Sequence, residues 1–79
     1  MLPPYEAEEV AEAVQRRLAR AGVRFHRLVV TADDLARQWR VEARLEERGD
    51  VVAAFPFASA AGIHTPAELA DWFAAAAVR

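Results

Sequence analysis

The sequence predicts an α+β fold in the order helix–strand–strand–strand–helix. Amphipathic helical patterns stand at the two ends of the chain, and three β-rich stretches stand between them. A three-stranded antiparallel sheet with one apolar face is not stable alone, so both helices are expected to pack on that face. The opposite face, called the open face below, is then left uncovered. All 79 residues, 1–79, are expected to form a single domain.

The first helix is predicted over residues 4–21, because apolar residues recur there at three- and four-residue steps. Glutamates stand near its start and arginines near its end, which complements the helix dipole. Gly22 follows where a left-handed C-terminal cap is expected. The final helix is predicted to start with Thr65 as N-cap, Pro66 at the first position and Glu68 completing a capping box.

The first strand is predicted over residues 23–30. Its alternating pattern gives way to the apolar run Leu28–Val30, so either both faces are covered there or a bulge near Arg27 shifts the register. Residues 31–38 are ambiguous, because Thr31 to Asp34 resembles a capping box and a short helical turn is an alternative. The small residues of 58–64 are expected to form a loop.

The second and third strands are predicted to form a hairpin. Four apolar residues alternate strictly with four charged ones, namely Trp39, Val41, Ala43 and Leu45 with Arg40, Glu42, Arg44 and Glu46. This period of two puts each set on one face of a strand. A loop over residues 47–49, with Gly49 left-handed, predicts the pairs Leu45–Val51, Ala43–Ala53, Val41–Phe55 and Trp39–Phe57. Pro56 indicates that the third strand lies at a sheet edge.

Composition excludes several classes of site. The chain has no cysteine, which excludes disulfides and thiolate metal sites. All ten basic residues are arginine, and the net charge of the chain is −2. No stretch is apolar and long enough to span a bilayer, and the first residues lack a signal-peptide pattern, so a cytoplasmic protein without membrane contact is expected by default.

No catalytic or cofactor signature is recognisable, so we expect a non-enzymatic protein with no cofactor, no metal and no small-molecule substrate. His64 is expected to pack at the entrance of the final helix, and His26 to lie on the open face. Ser59 lacks the pattern of an activated nucleophile around it. Asp33 and Asp34 stand at a predicted element end, where solvated or capping roles are common.

The helix–three strands–helix order resembles the topology of double-stranded RNA-binding domains and of some small toxin folds. The resemblance covers most of the chain but lies in element order alone, so it says little about function. Where such RNA-binding domains carry a lysine-rich start of the final helix, this chain has residues 65–68, Thr-Pro-Ala-Glu.

The favoured hypothesis is a protein-interaction or regulatory module that binds another protein, with a homodimer as one version, through the open face or a sheet edge. Leu28 and Val30 are further candidates for the open face. The proposed partner-binding residues are Arg24, His26, Arg40, Glu42, Arg44, Val52 and Ala54.

The alternative hypothesis is nucleic-acid binding, since five arginines fall within twelve residues and guanidinium groups match phosphate. These residues are Arg16, Arg17, Arg20, Arg24 and Arg27. A weaker alternative is a small nuclease or toxin that would use His26 or His64 as general base.

Overall fold

A computed structural model describes residues 2–78 and shows the α+β fold with the predicted order of its main elements. The bounds are α1 Ala7–Arg20, β1 Phe25–Asp33, β2 Gln38–Leu45, β3 Gly49–Pro56, β4 Ala58–Ser59, β5 Gly62–Ile63 and α2 Pro66–Ala77. Strands β1, β2 and β3 form an antiparallel sheet in that order, so β2 is central and β1 and β3 are the edges. The edge position predicted from Pro56 is therefore confirmed.

Both helices have the caps that the sequence predicts. At the end of α1, Gly22 has φ +71°, Val23 N–H donates to Leu18 O at 2.9 Å, and Gly22 N–H donates to Ala19 O at 3.1 Å. This is a Schellman motif. At the start of α2, Glu68 N–H donates to Thr65 Oγ1 at 3.2 Å and Thr65 N–H donates to Glu68 Oε1 at 3.1 Å, which completes the capping box.

Strand β1 is longer than predicted and contains the bulge. Its register against β2 shifts between Phe25 and Arg27, so His26 is the extra residue. The alternative of a helical turn from Thr31 to Asp34 is wrong, because the strand continues through Asp33 before a turn over residues 34–37. Asp33 nevertheless supports that turn, since its Oδ1 accepts from Ala36 N–H at 3.0 Å.

The β2–β3 hairpin forms, but its predicted register is wrong by two residues. The observed pairs are Leu45–Gly49, Ala43–Val51, Val41–Ala53 and Trp39–Phe55. The turn occupies residues 46–48, and Gly49, with φ +77°, is the first residue of β3. Because side chains alternate with a period of two, a shift of two residues leaves every side chain on its predicted face.

Residues 58–64 were expected to form a loop, which is wrong in part, because β4 and β5 pair there as a small two-stranded hairpin. Two pairs close it, Ala58–Ile63 and Ser59–Gly62. Gly62 has φ +122°, a conformation that glycine adopts without a steric penalty. The short hairpin carries the chain from the end of β3 to the start of α2.

One hydrophobic cluster joins the inner side chains of β2 to both helices. Trp39 is fully buried and packs edge to face on Phe57, with ring centroids 5.0 Å apart. From the helices, the cluster receives Val10, Val14, Leu18, Leu69, Ala70, Phe73, Ala74 and Ala77. Trp72 lies at the rim, 40% exposed, with its ring centroid 5.9 Å from that of Phe55.

Two leucines provide a matched test of this core. Leu18 is fully buried, whereas Leu35 in the β1–β2 turn is 98% exposed. We expect Leu18→Ala to lower the free energy of unfolding by about 2–5 kcal/mol, because it leaves a cavity. Leu35→Ala should change it by less than about 0.5 kcal/mol. Chemical denaturation followed by circular dichroism measures both, and similar values for the two variants would contradict the packing described.

Candidate interaction surfaces

The open face consists of the side chains that alternate away from the hydrophobic cluster. Residues directly opposite each other in a ladder share a face, so the two registers assign every position. The open face carries Arg27, Val29, Thr31 and Asp33 from β1, Gln38, Arg40, Glu42 and Arg44 from β2, and Asp50, Val52, Ala54 and Pro56 from β3.

The suggestion that Leu28 and Val30 lie on the open face is wrong. Leu28 is opposite Ala43 and Val30 is opposite Val41, so both face the inner side. The bulge at His26 is the reason, because an extra residue exchanges the faces of all that follow it. Val29, opposite Glu42, is the apolar residue that β1 contributes to the open face.

Four of the six charged side chains on the open face form two ion pairs. Arg40 Nε lies 2.6 Å from Glu42 Oε1, and Arg44 Nε lies 3.0 Å from Asp50 Oδ1 across the β2–β3 ladder. The hydrogen bond and the charge of Arg44 hold the pKa of Asp50 below its usual value, and Arg27 acts in the same direction. Asp50 in turn raises the pKa of Arg44.

Apolar side chains are exposed between these charges. Val52 is 51% exposed, Ala54 is exposed and Val29 is half-buried. A shallow depression of about 100 Å³ lies at Val29 and Val52, with Arg27 and Asp50 on its walls. An apolar patch with a charged rim is typical of a protein–protein contact surface.

Five of the seven proposed partner-binding residues lie together on the open face, namely Arg40, Glu42, Arg44, Val52 and Ala54. His26 is exposed at the bulge. Arg24 precedes β1 and lines a separate cleft of about 430 Å³ between the C-terminal ends of the two helices and the β2–β3 turn.

The arginine cluster is divided between different surfaces. Arg16 lies 3.4 Å from Glu12 on α1, and Arg17 Nε lies 2.9 Å from Asp71 Oδ1, which links α1 to α2. Arg27, in contrast, lies on the open face, whereas the buried stripe of α1 packs in the cluster on the inner side of the sheet. The five arginines therefore do not form one continuous basic surface.

Two polar side chains hold the ends of α2. His64 Nδ1 lies 2.9 Å from Pro56 O, and its buried ring stands edge-on to Trp72, which confirms its packing at the helix entrance. Arg48 donates from one Nη to Ala76 O at 3.0 Å and to Ala77 O at 2.7 Å. Sequence reasoning missed this C-terminal cap, because the contact joins a turn to a helix end 29 residues away.

Residues 2–78 contain no group of three or more His, Asp or Glu side chains placed to hold a metal ion. None of the helices in that range is both long and apolar enough to cross a membrane. In comparisons with known proteins, no family model, no curated protein and no solved structure matches this chain. The resemblance to double-stranded RNA-binding domains thus stays one of element order.

The Asp50–Arg44 pair predicts a pH dependence of stability. Asp50 has a lower pKa in the folded chain than in the unfolded chain, so the unfolded chain binds more protons in acid. Stabilisation by this pair is complete above the unfolded pKa, near 3.8, and is lost as the pH falls through the lower folded value. We expect the difference in stability between wild type and Asp50→Asn to shrink as the pH falls below about 4.

Thermal unfolding followed by circular dichroism from pH 7 to pH 2 measures this difference. Asp34→Asn is the matched control, since Asp34 makes no ion pair within residues 2–78. An equal loss of acid dependence in both variants would contradict the role assigned to the pair.

Proposed function

We propose that this chain is a protein-interaction module whose contact surface is the open face. The observation that supports the proposal best is that Val52 and Ala54 are exposed beside four charged side chains that already form two ion pairs. Burying apolar area against a partner is favourable, and paired charges fix its orientation more than its affinity. A regulatory role through such a contact is part of the same proposal.

The charge on the open face indicates the kind of partner. Arg27, Arg40 and Arg44 are balanced by Asp33, Glu42 and Asp50, so the face has no excess of either sign. It carries no aromatic side chain on which a nucleic-acid base could stack. A protein surface with apolar side chains and charges of both signs complements this face better than a polyanion does.

Val52 and Ile63 provide a matched test, because they are 51% and 57% exposed and only Val52 lies on the open face. Protein partners captured from the native host by the wild-type chain should be lost with Val52→Asp and retained with Ile63→Asp. For a purified partner, calorimetry should show an affinity at least about tenfold weaker for Val52→Asp. Equal affinities of the two variants would overturn the proposal.

The nucleic-acid alternative has less support, because the structure divides the arginine cluster. Fluorescence anisotropy with duplex and single-stranded nucleic acid at low salt measures it directly. Affinity that falls with salt, and that is lost when Arg16, Arg17 and Arg20 are replaced by alanine, would favour this alternative. The open-face proposal expects no such binding.

A further inference from the structure

The backbone of β1 has a free edge, and the hydrogen-bond pattern identifies which residues form it. Phe57 N–H donates to Arg37 O at 3.0 Å, which makes residues 37 and 57 a hydrogen-bonded pair in the β2–β3 register. Such pairs alternate along an antiparallel ladder, so the odd-numbered residues of β2 bond to β3 and the even-numbered ones bond to β1. The bond from Glu46 N–H to Arg24 O agrees with this assignment.

The partners of the even-numbered β2 residues are Arg27, Val29, Thr31 and Asp33. The residues between them, Leu28, Val30 and Ala32, therefore direct their N–H and C=O groups away from the sheet. Outside the ladders, no hydrogen bond within residues 2–78 reaches these groups. A regular row of free donors and acceptors of this kind is a template for another strand.

The side chains along this edge are incompletely covered as well. Leu28, Val30 and Ala32 face the inner side and contact the hydrophobic cluster, yet each is only half-buried. The other edge of the sheet differs, because in β3 the residues whose backbone points outward include Pro56, which has no N–H. The two edges are thus unequal, and β1 is the one free of proline over its whole length.

The sequence of β1 complements itself when two copies run antiparallel about Val30. Val30 then lies opposite its own equivalent, and Leu28 lies opposite Ala32 of the other copy, which pairs the free backbone groups. On the open face, Arg27 of each copy lies opposite Asp33 of the other. Moving the centre to residue 29 or 31 loses this match of opposite charges.

We propose that β1 pairs with β1 of a second copy of this chain about a two-fold axis at Val30, which joins two three-stranded sheets into one of six strands. Two observations indicate that a second copy of the chain occupies this edge. These are the charge match between Arg27 and Asp33, and the apolar row of β1, which is only half-buried. The dimer uses the backbone edge of β1 together with Arg27 and Asp33, whereas the proposed function depends on Val52 and Ala54 of β3. The two contacts therefore depend on different residues, and each can fail alone.

Single cysteines test the position of the axis, since the chain has no cysteine of its own. At the axis, the two Cα atoms of Val30→Cys lie about 5.5 Å apart, which a disulfide spans. The two Cα atoms of Thr31→Cys are displaced by two residues along the strands and lie beyond the limit of about 7 Å. Thr31 is the more exposed of the two, so random collisions would favour its cross-linking.

We expect Val30→Cys to form a disulfide-linked dimer at least about ten times faster than Thr31→Cys under mild oxidation. Sedimentation should show a concentration-dependent dimer of the wild-type chain, and Arg27→Asp should weaken it by about tenfold, with recovery on adding Asp33→Arg. Arg16→Asp, which makes the same change of charge on α1, should leave the dimer intact. Circular dichroism verifies that each variant is folded.

Three results would overturn the proposal. These are a wild-type chain that stays monomeric at about 1 mM, Thr31→Cys cross-linking as fast as Val30→Cys, and a dimer that Arg27→Asp does not weaken. A dimer that is disrupted by Val52→Asp, with no cross-linking of Val30→Cys, would place self-association on the open face instead.

Discussion

The structure depends on the burial of one side of β2. Trp39, Val41, Ala43 and Leu45 are each at most 4% exposed, and they belong to one hydrophobic cluster with the buried side chains of both helices. As the central strand, β2 also bonds to β1 on one side and β3 on the other, so both ladders are built on it. The Nε1 of Trp39 is buried without a hydrogen-bond partner within residues 2–78. The Trp39 ring therefore stabilises the core through its apolar area and its contact with Phe57, and not through a hydrogen bond.

The strict alternation of β2 also determines which of its side chains lie on the open face. Within β2, the charged neighbours of the inward apolar residues lie on the open face, where Arg40 pairs with Glu42 and Arg44 pairs with Asp50. Surface pairs of this kind add little stability. Their main effect is to neutralise the face, which leaves Val52 and Ala54 as its distinctive feature. The same residue pattern thus builds the core and gives the opposite surface a character suited to protein contacts.

Local signals in the sequence were sufficient to predict most of the fold. Features that depend on contacts between distant segments could not be predicted in this way. The cap at Gly22 and the capping box from Thr65 to Glu68 depend on neighbouring residues, so they could be predicted. The hairpin register was missed because a turn of 46–48 and a turn of 47–49 satisfy the same alternation. The faces of Leu28 and Val30 depend on the bulge at His26, and the apolar run Leu28–Val30 indicated a bulge near Arg27 only as one of two alternatives. The cap that Arg48 provides for α2 has no sequence signal, because it joins a turn to a distant helix end.

The two edges of the sheet differ in how readily they can pair with a strand of another chain. Pro56 removes a donor from the outward side of β3, and the bulge at His26 breaks the start of β1. Between that bulge and the turn at 34–37, the regular stretch from Arg27 to Asp33 is left, with opposite charges at its two ends. An edge protected against general strand addition would carry like charges or a proline along this stretch. The stretch from Arg27 to Asp33 is instead regular, apolar on its inner side and complementary to itself about Val30. These properties favour the single, defined pairing proposed for β1.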